Sequence, residues 1–250
     1  MRKRLFIFLL FFFMAGSVFA DDVRQGLKHY FNDEFDKALV YFQKPEVQED
    51  PKVQNALGYM YSEGAGVKQD YQKALYWYNR AADQQYAGAQ YNLGLIYKAG
   101  TGVKQDYAHA AKWFQLAADQ NHAGALVNLA NLYYKGLGVT KDLGKAAELD
   151  RKAAELGDEA AQFNLARSYD HGFGVEKNSK DALYWYTRSA EGDNPQAMDR
   201  LTDVYRYGKL GQPVDEKKAD EWEARAKIAW SKRDDKPSAG KRFLQRILQD

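Results

Sequence analysis

The sequence predicts an all-α protein, an α-α solenoid in which helical hairpins stack side by side. The first observation is a fixed repeat, because the stretch from Ala89 to Gly124 recurs before and after itself at intervals of 36 residues. The second is that each unit carries two apolar faces with helical spacing, separated by a short glycine-rich turn. One such hairpin cannot bury its own apolar face, so neighbouring units must stack on each other.

The two helices of a unit are defined by where its apolar residues recur. The first face follows one side of a 3.6-residue helix and consists of Ala89, Leu93, Ile96 and Tyr97. The second face consists of Ala110, Trp113, Phe114, Ala117 and Ala118. Gly94 and Ala110 are small, which suits a close approach of the two helix backbones.

The turn between the helices carries its own pattern. Gly100 and Gly102 can adopt positive φ at low steric cost where the first helix ends, and Asp106 stands where its carboxylate can cap the second helix. This G-x-G pattern recurs in four units and lacks both a preceding strand and the full glycine set of a phosphate-binding loop. We therefore interpret it as a structural connection between helices.

These motifs resemble those of the Sel-one-like repeat (SLR) family, a branch of the tetratricopeptide-repeat (TPR) superfamily. Residues 53–124 match almost completely the pattern A-x-x-x-L-G-x-x-Y, then G-x-G-V-x-x-D, then A-x-x-W-[YF]-x-x-A-A. The resemblance implies a right-handed superhelix of SLR/TPR-like hairpins that serves as a scaffold for other macromolecules. It implies a protein partner, and neither a cofactor nor a catalytic residue.

Residues 1–20 have the pattern of a secretory signal peptide. Three basic residues precede an apolar run from Leu5 to Met14, and small residues follow and end at Ala20. This run is too short to span a bilayer, which requires about 20 residues. We expect cleavage after Ala20 and a periplasmic or secreted protein without a membrane span. The alternative is an uncleaved membrane anchor.

The rest of the chain divides into hairpin units. Residues 21–50 are predicted to form a degenerate TPR-like first hairpin, and residues 197–230 a divergent fifth SLR with one extra residue in its turn. Four regular SLR units lie between them, at residues 53–88, 89–124, 125–160 and 161–196. Residues 231–250 are predicted to form a linker and a short C-terminal helix, which either caps the array or docks on a partner.

The third unit departs from the others in its second helix. Glu148, Leu149 and Asp150 stand where the first unit has a Tyr-Trp-Tyr triplet at residues 76–78. We expect this helix to persist while its outer face becomes charged.

Charge and cysteine content exclude further classes of protein. The 36 basic residues include Arg2, Lys3 and Arg4, so 33 basic and 34 acidic residues remain after cleavage. A chain this close to neutral lacks the basic face of a nucleic-acid-binding protein, so we expect no nucleic-acid partner. The sequence contains no cysteine, so stability must come from stacking and not from disulfides.

The sequence offers no constellation for catalysis or metal binding. Its four histidines, His29, His109, His122 and His171, are dispersed, no two of them form a close pair at metal-ligand spacing, and no serine lies in a nucleophile elbow. A cysteine-rich branch of the SLR family is linked to β-lactam hydrolysis, and this chain lacks that hallmark. We expect a non-enzymatic protein-interaction scaffold of the cell envelope. The alternatives are a peptidoglycan- or glycan-associated module, whose aromatic faces would stack on sugars, and a weak β-lactam-binding hydrolase.

The variable side of each first helix is the predicted binding surface. The shared apolar residues hold the stack, which leaves positions three, seven and ten of each unit free to vary on one side of the helix. Early and middle units offer apolar groups there and later units offer charge, which suits an amphipathic partner segment. The predicted anchors are Tyr59, Tyr91, Leu95, Asn131, Tyr134, Phe163 and Arg167. The alternative is that several of them only pack between neighbouring first helices.

Overall fold

A computed structural model describes residues 19–232, and this part of the chain contains helices and turns but no β-strand. Helix α1 covers residues 19–31 of the described part. The helices that follow are α2 (Phe35–Phe42), α3 (Pro51–Glu63), α4 (Tyr71–Asp83), α5 (Ala87–Ala99), α6 (Tyr107–Ala118), α7 (Ala123–Lys135), α8 (Leu143–Glu155), α9 (Glu159–His171), α10 (Ser179–Glu191), α11 (Pro195–Arg206) and α12 (Glu216–Ser231). A short 3₁₀-helix, Val47–Glu49, lies between α2 and α3.

The helices are organised as stacked hairpins. From α3 onward, each odd-numbered helix packs against the even-numbered helix that follows it, and each pair packs on the next pair. We call α3, α5, α7, α9 and α11 the first helices and their partners the second helices. The predicted all-α solenoid is confirmed.

Inside a hairpin, an aromatic ring of the second helix packs directly on a glycine of the first. A Cβ atom on Gly94 would lie 2.5 Å from two ring carbons of Phe114, and one on Gly58 would lie 2.6 Å from ring carbons of Tyr78. Phe114 is fully buried. The missing side chain therefore makes the space that the ring fills, as the small residue at position 94 indicates.

The turn glycines close each hairpin and also allow hairpins to stack. Gly100 and Gly102 have φ of 77° and 71°, which confirms the predicted left-handed turn. Two glycine turns later along the array, a Cβ atom on Gly174 would lie 2.0 Å from the carbonyl oxygen of Leu143 in the preceding hairpin. Any larger residue at position 174 would push the two hairpins apart.

Side-chain caps begin the second helices. Asp106 accepts a hydrogen bond from the backbone N–H of His109 at 2.9 Å, which confirms the predicted cap of α6. The equivalent caps of the other second helices from α4 onward are Asp70, Asp142, Asn178 and Asp215. The recurring Asp or Asn after the glycine turn thus fixes where each second helix starts.

The third unit differs from its prediction. Helix α8 forms as expected, and Glu148 is exposed, but Leu149 and Asp150 are only 2% and 6% exposed. Asp150 follows Phe114 by one 36-residue interval, and that position faces the interior of the hairpin. The expectation of a charged outer face is therefore wrong for Asp150, whose carboxylate lies inside.

The extra residue of the divergent fifth unit is accommodated in the turn between α11 and α12. Gly208, Leu210 and Gly211 all have positive φ there, whereas each regular glycine turn has two residues with positive φ. Asp215 still caps α12, which allows the final second helix to pack as its predecessors do.

Both ends of the chain lie outside the described residues. Residues 1–18 of the predicted signal peptide and residues 233–250 of the predicted linker and C-terminal helix are among them. Within residues 19–232, no helix combines the length and the apolar character that crossing a membrane requires.

Candidate binding surface on the first helices

Six of the seven predicted anchors are half-buried side chains on successive first helices. They are Tyr59, Leu95, Asn131, Tyr134, Phe163 and Arg167. Lys98 and Asn128 are half-buried beside them, and we call these eight residues the first-helix wall. Half-burial leaves part of each side chain in contact with solvent, while the other part is positioned by the core.

Tyr91 does not belong to this wall. Its side chain is buried, its ring stacks on His122 with centroids 4.5 Å apart, and it packs near Phe114 at 6.0 Å. Burial also raises the pKa of Tyr91. The prediction of Tyr91 as an exposed anchor is corrected here, because the neighbouring hairpin covers the ring.

The aromatic members of the wall are supported by rings behind them. Tyr59 meets Tyr30 edge-on with centroids 5.8 Å apart. In α9, Phe163 packs on the buried ring of Tyr186 at 5.7 Å, and the guanidinium carbon of Arg167 lies 5.9 Å from the Phe163 ring. These contacts hold the rings in place, so a partner would meet a surface that is already ordered.

Polar side chains join successive first helices along the wall. Three hydrogen bonds of this kind run from Asn92 Nδ2 to Asn55 Oδ1 at 2.9 Å, from Lys98 Nζ to Asn128 Oδ1 at 2.7 Å, and from Arg200 Nη2 to Asp170 Oδ2 at 2.7 Å. Our sequence interpretation missed the fourth position of the second to fifth units, which is Asn92, Asn128, Asn164 and Arg200 in successive repeats. This recurrence of amide side chains is the signal that could have revealed it.

Asp150 lies behind the wall, beneath Asn164 and Arg167. The Nδ2 atom of Asn164 donates a hydrogen bond to Asp150 Oδ1 at 3.3 Å. The pKa of Asp150 is raised to about 7, mainly by burial and also by the charge of Asp158, while Asn164 and Arg167 oppose the shift. Near neutral pH this site therefore alternates between a neutral and a charged carboxyl group.

Asp170 is bound by two neighbours in the last two hairpins. Its Oδ2 atom accepts hydrogen bonds from Arg200 and from the hydroxyl of Tyr186 at 3.2 Å. Burial and the nearby Asp170 carboxylate raise the pKa of Tyr186, which remains a neutral donor. This acid therefore stabilises the stack and does not extend toward solvent as a charge for a partner.

The side chains of the wall are of kinds that make noncovalent contacts. Among residues 19–232, no group of three or more His, Cys, Asp or Glu side chains is placed to hold a metal ion. His122, one of the four dispersed histidines, accepts a hydrogen bond from the Ala125 backbone N–H at 3.2 Å, and burial lowers its pKa to about 4. The first helices present aromatic rings, amides and cations, which are groups suited to contacts with another macromolecule.

Comparison with protein families identifies the repeat. The family model described as Sel1 repeat matches residues 51–86, 87–122, 123–158, 159–194 and 195–222. These repeats begin two residues before the unit boundaries that the sequence pattern predicts, in agreement with first helices that start at Pro51 and Ala87. Comparison with curated proteins found no match to the chain.

Solved structures show the same architecture. The chain is similar to a Sel1 repeat protein from Oxalobacter formigenes, with 35% identity, a TM-score of 0.75, and coverage of 82% of this chain and 84% of that one. It is also similar to c5321, described as a protective antigen of uropathogenic Escherichia coli strains with an SLR fold, with 32% identity and a TM-score of 0.76. That match covers 86% of this chain but only 46% of c5321.

A more distant structure shares the fold alone. The immunity protein PA5088 from Pseudomonas aeruginosa is 19% identical, with a TM-score of 0.58 and coverage of 83% of this chain and 82% of that one. The three structures together place these repeats in one architecture that occurs in proteins of different description.

Proposed function

The chain belongs to the Sel1 repeat family, whose members are typically non-catalytic scaffolds that bind protein partners, and we propose that its first-helix wall is where it binds a protein segment. One structural observation supports this proposal. Successive first helices present half-buried aromatic, aliphatic and polar side chains at equivalent register positions, and the core orders these side chains without covering them. Aromatic residues and arginine of this kind dominate the energetics of protein interfaces.

We propose the cell envelope as the place of action, as a periplasmic or secreted scaffold. The support for this is the basic, apolar and small-residue pattern of residues 1–20. The proposal includes no reaction, because Sel1 repeat proteins are generally scaffolds without catalysis.

The experiment that tests the proposal is a pull-down from the cell envelope with two double variants. Leu95→Ser with Tyr134→Ser removes apolar groups from the wall, and Tyr76→Ser with Tyr184→Ser removes two rings from the second helices, where they are 55% and 54% exposed. Partners that wild type and the second-helix variant retain, and that the wall variant loses, would support binding at the wall.

The reverse pattern would contradict it. Partners lost only by the second-helix variant would place binding on the opposite helices. Circular dichroism melting of both variants provides the control, since a wall variant that melts far below wild type would mean that Leu95 and Tyr134 act in the core.

A further inference from the structure

Lys98 is a half-buried cation that is held in place by a neutral group. Its ammonium donates a hydrogen bond to Asn128 Oδ1 at 2.7 Å, and Asn128 is fixed in turn because its Nδ2 donates to the carbonyl of Gly124 at 2.8 Å. A lysine ammonium has three donors, and Asn128 takes one of them. The side chain is therefore positioned before any partner arrives, with donors remaining.

No carboxylate balances this charge within the described residues. Lys135 is the charged residue that acts on the pKa of Lys98. Within residues 19–232, neither of these lysines forms an ion pair with Asp or Glu. Both lysines lie in the last turn of their helices, where the helix dipole favours a cation. Desolvation and the nearby charge of Lys135 lower the pKa of Lys98.

Three acids near the wall are engaged by other groups, and one of them, Asp158, accepts a hydrogen bond from the backbone N–H of Ala161 as the cap of α9. Asp170 is bound by Arg200 and Tyr186, and Asp150 is buried beneath Asn164. Farther along the wall, Arg167 of α9 lies over the Phe163 ring. It adds a positive charge to those of Lys98 and Lys135. The middle of the first-helix wall is thus positive and lacks a partner of opposite sign from the same surface.

We propose that the protein segment bound by the first-helix wall is acidic, and that one of its Asp or Glu carboxylates binds the ammonium of Lys98 between α5 and α7. This rests on the proposed function and names the chemistry of its partner. A carboxylate at this point would accept the remaining Lys98 donors and would be attracted by Lys135. Leu95 and Tyr134 on the same two helices would contact apolar side chains that flank the acid.

A protein carboxylate fits this surface better than a nucleic-acid phosphate does. The predicted mature chain carries nearly equal numbers of acidic and basic residues, whereas nucleic-acid binding relies on many cations spread along one face. Lys98 is also flanked by apolar groups and amides, which suit a peptide with one or a few acids.

The test is a selection of random twelve-residue peptides displayed on phage, using the purified protein. The selected peptides are then measured against three variants. These are Lys98→Met at the proposed site, Lys112→Met as a control that removes an equal charge from an exposed position of the second helix α6, and the wall variant with Leu95→Ser and Tyr134→Ser.

We expect peptides enriched in Asp and Glu over the input library. Their affinity should fall about tenfold or more on Lys98→Met, as for a lost hydrogen bond between charged groups, and should not change on Lys112→Met. Lys98→Met should fold normally, because it removes a desolvated charge.

The outcomes separate this inference from the proposed function. Peptides that lose binding on the wall variant but show no acidic enrichment, or bind Lys98→Met as tightly as wild type, would overturn the carboxylate assignment and leave wall binding intact. Failure to select any peptide, or peptides unaffected by the wall variant, would contradict both. A random twelve-nucleotide DNA that binds with the same dependence on Lys98 would assign the site to phosphate and overturn the acidic-peptide inference.

Discussion

The carboxyl group of Asp150 lies inside its hairpin at the position where, one repeat earlier, the ring of Phe114 packs on Gly94. The other regular repeats place Tyr78 or Tyr186 there, so three of the four fill the position with an aromatic ring. The third repeat instead contains a buried acid, which Asn164 partly satisfies. This exchange makes the middle of the solenoid sensitive to pH.

We predict that stability falls as pH rises because of Asp150. Its pKa is raised from 3.8 to about 7 on folding, so between these values the unfolded state releases a proton that the folded state keeps. The destabilisation should grow from about pH 4 to about pH 7, reach on the order of 4 kcal/mol, and then level off. Urea unfolding of wild type and Asp150→Asn across this range measures it as the difference between the two proteins.

Glu148→Gln provides the matched control for this pH experiment, since Glu148 is exposed on the same helix. Hydrogen bonds from Lys152 and Lys145 lower its pKa, so its contribution is lost as pH falls and has the opposite sign. The prediction would be contradicted if the difference in unfolding free energy between wild type and Asp150→Asn stayed constant between pH 4 and 7.

We predict that Gly94→Ala destabilises the protein by about 1–3 kcal/mol. The new methyl group would overlap the ring of Phe114, which is fully buried and cannot move away without opening the hairpin. Gly144→Ala in α8 is the control, because the nearest atom to its Cβ is a side-chain oxygen of Asp142 at 3.3 Å. There, the gain in helix propensity should leave stability unchanged or higher. Equal losses in the two variants, measured by urea unfolding, would refute the packing argument.

Tyr91 and Tyr134 should respond differently to the same truncation. Tyr91→Ser should cost about 3 kcal/mol, because it empties a buried site beside His122 and Phe114. Tyr134→Ser should cost about 1 kcal/mol, because that ring is half-buried and touches Phe173 edge-on. Thermal melting of the two variants decides between a core role and a wall role for each tyrosine, and a reversed order would show the assignment to be wrong.

Removal of the α6 cap should have a modest and local effect. Asp106→Ala deletes the acceptor for the His109 backbone N–H and should lower stability by about 1 kcal/mol. Asp119→Ala, at the exposed other end of the same helix, is the control and should change stability little. Hydrogen exchange at the first turn of α6 provides the readout, and unchanged protection in Asp106→Ala would contradict the capping role.

The sequence was sufficient for features that depend on local structure and on the repeat period. The turn at Gly100 and the cap at Asp106 follow from residue types at fixed offsets, and both are confirmed. The interior position of Asp150 was missed because three adjacent residues on a helix point in different directions, and the substituted triplet was interpreted as one face. Asp150 lies one 36-residue interval after Phe114, and this spacing indicates the interior position.

Features that depend on contacts between repeats could not be predicted in this way. The burial of Tyr91 depends in part on His122, which caps the first helix α7 of the next hairpin, and the position of Tyr91 in its own helix does not reveal that contact. The bond between Lys98 and Asn128 likewise joins residues 30 apart, on helices whose relative placement only the packed array determines. Chemistry at the wall is set by pairs of repeats, whereas sequence patterns describe one repeat at a time.

Site-specific photo-crosslinking in intact cells tests directly whether a partner binds at the first-helix wall. A photoreactive amino acid replaces Leu95 on the first-helix wall or, as the control, Leu116, which is 47% exposed on the second helix α6. We expect a discrete crosslinked protein adduct from position 95 and none from position 116. An adduct from position 116 alone, or no adduct from position 95, would contradict binding at the first-helix wall.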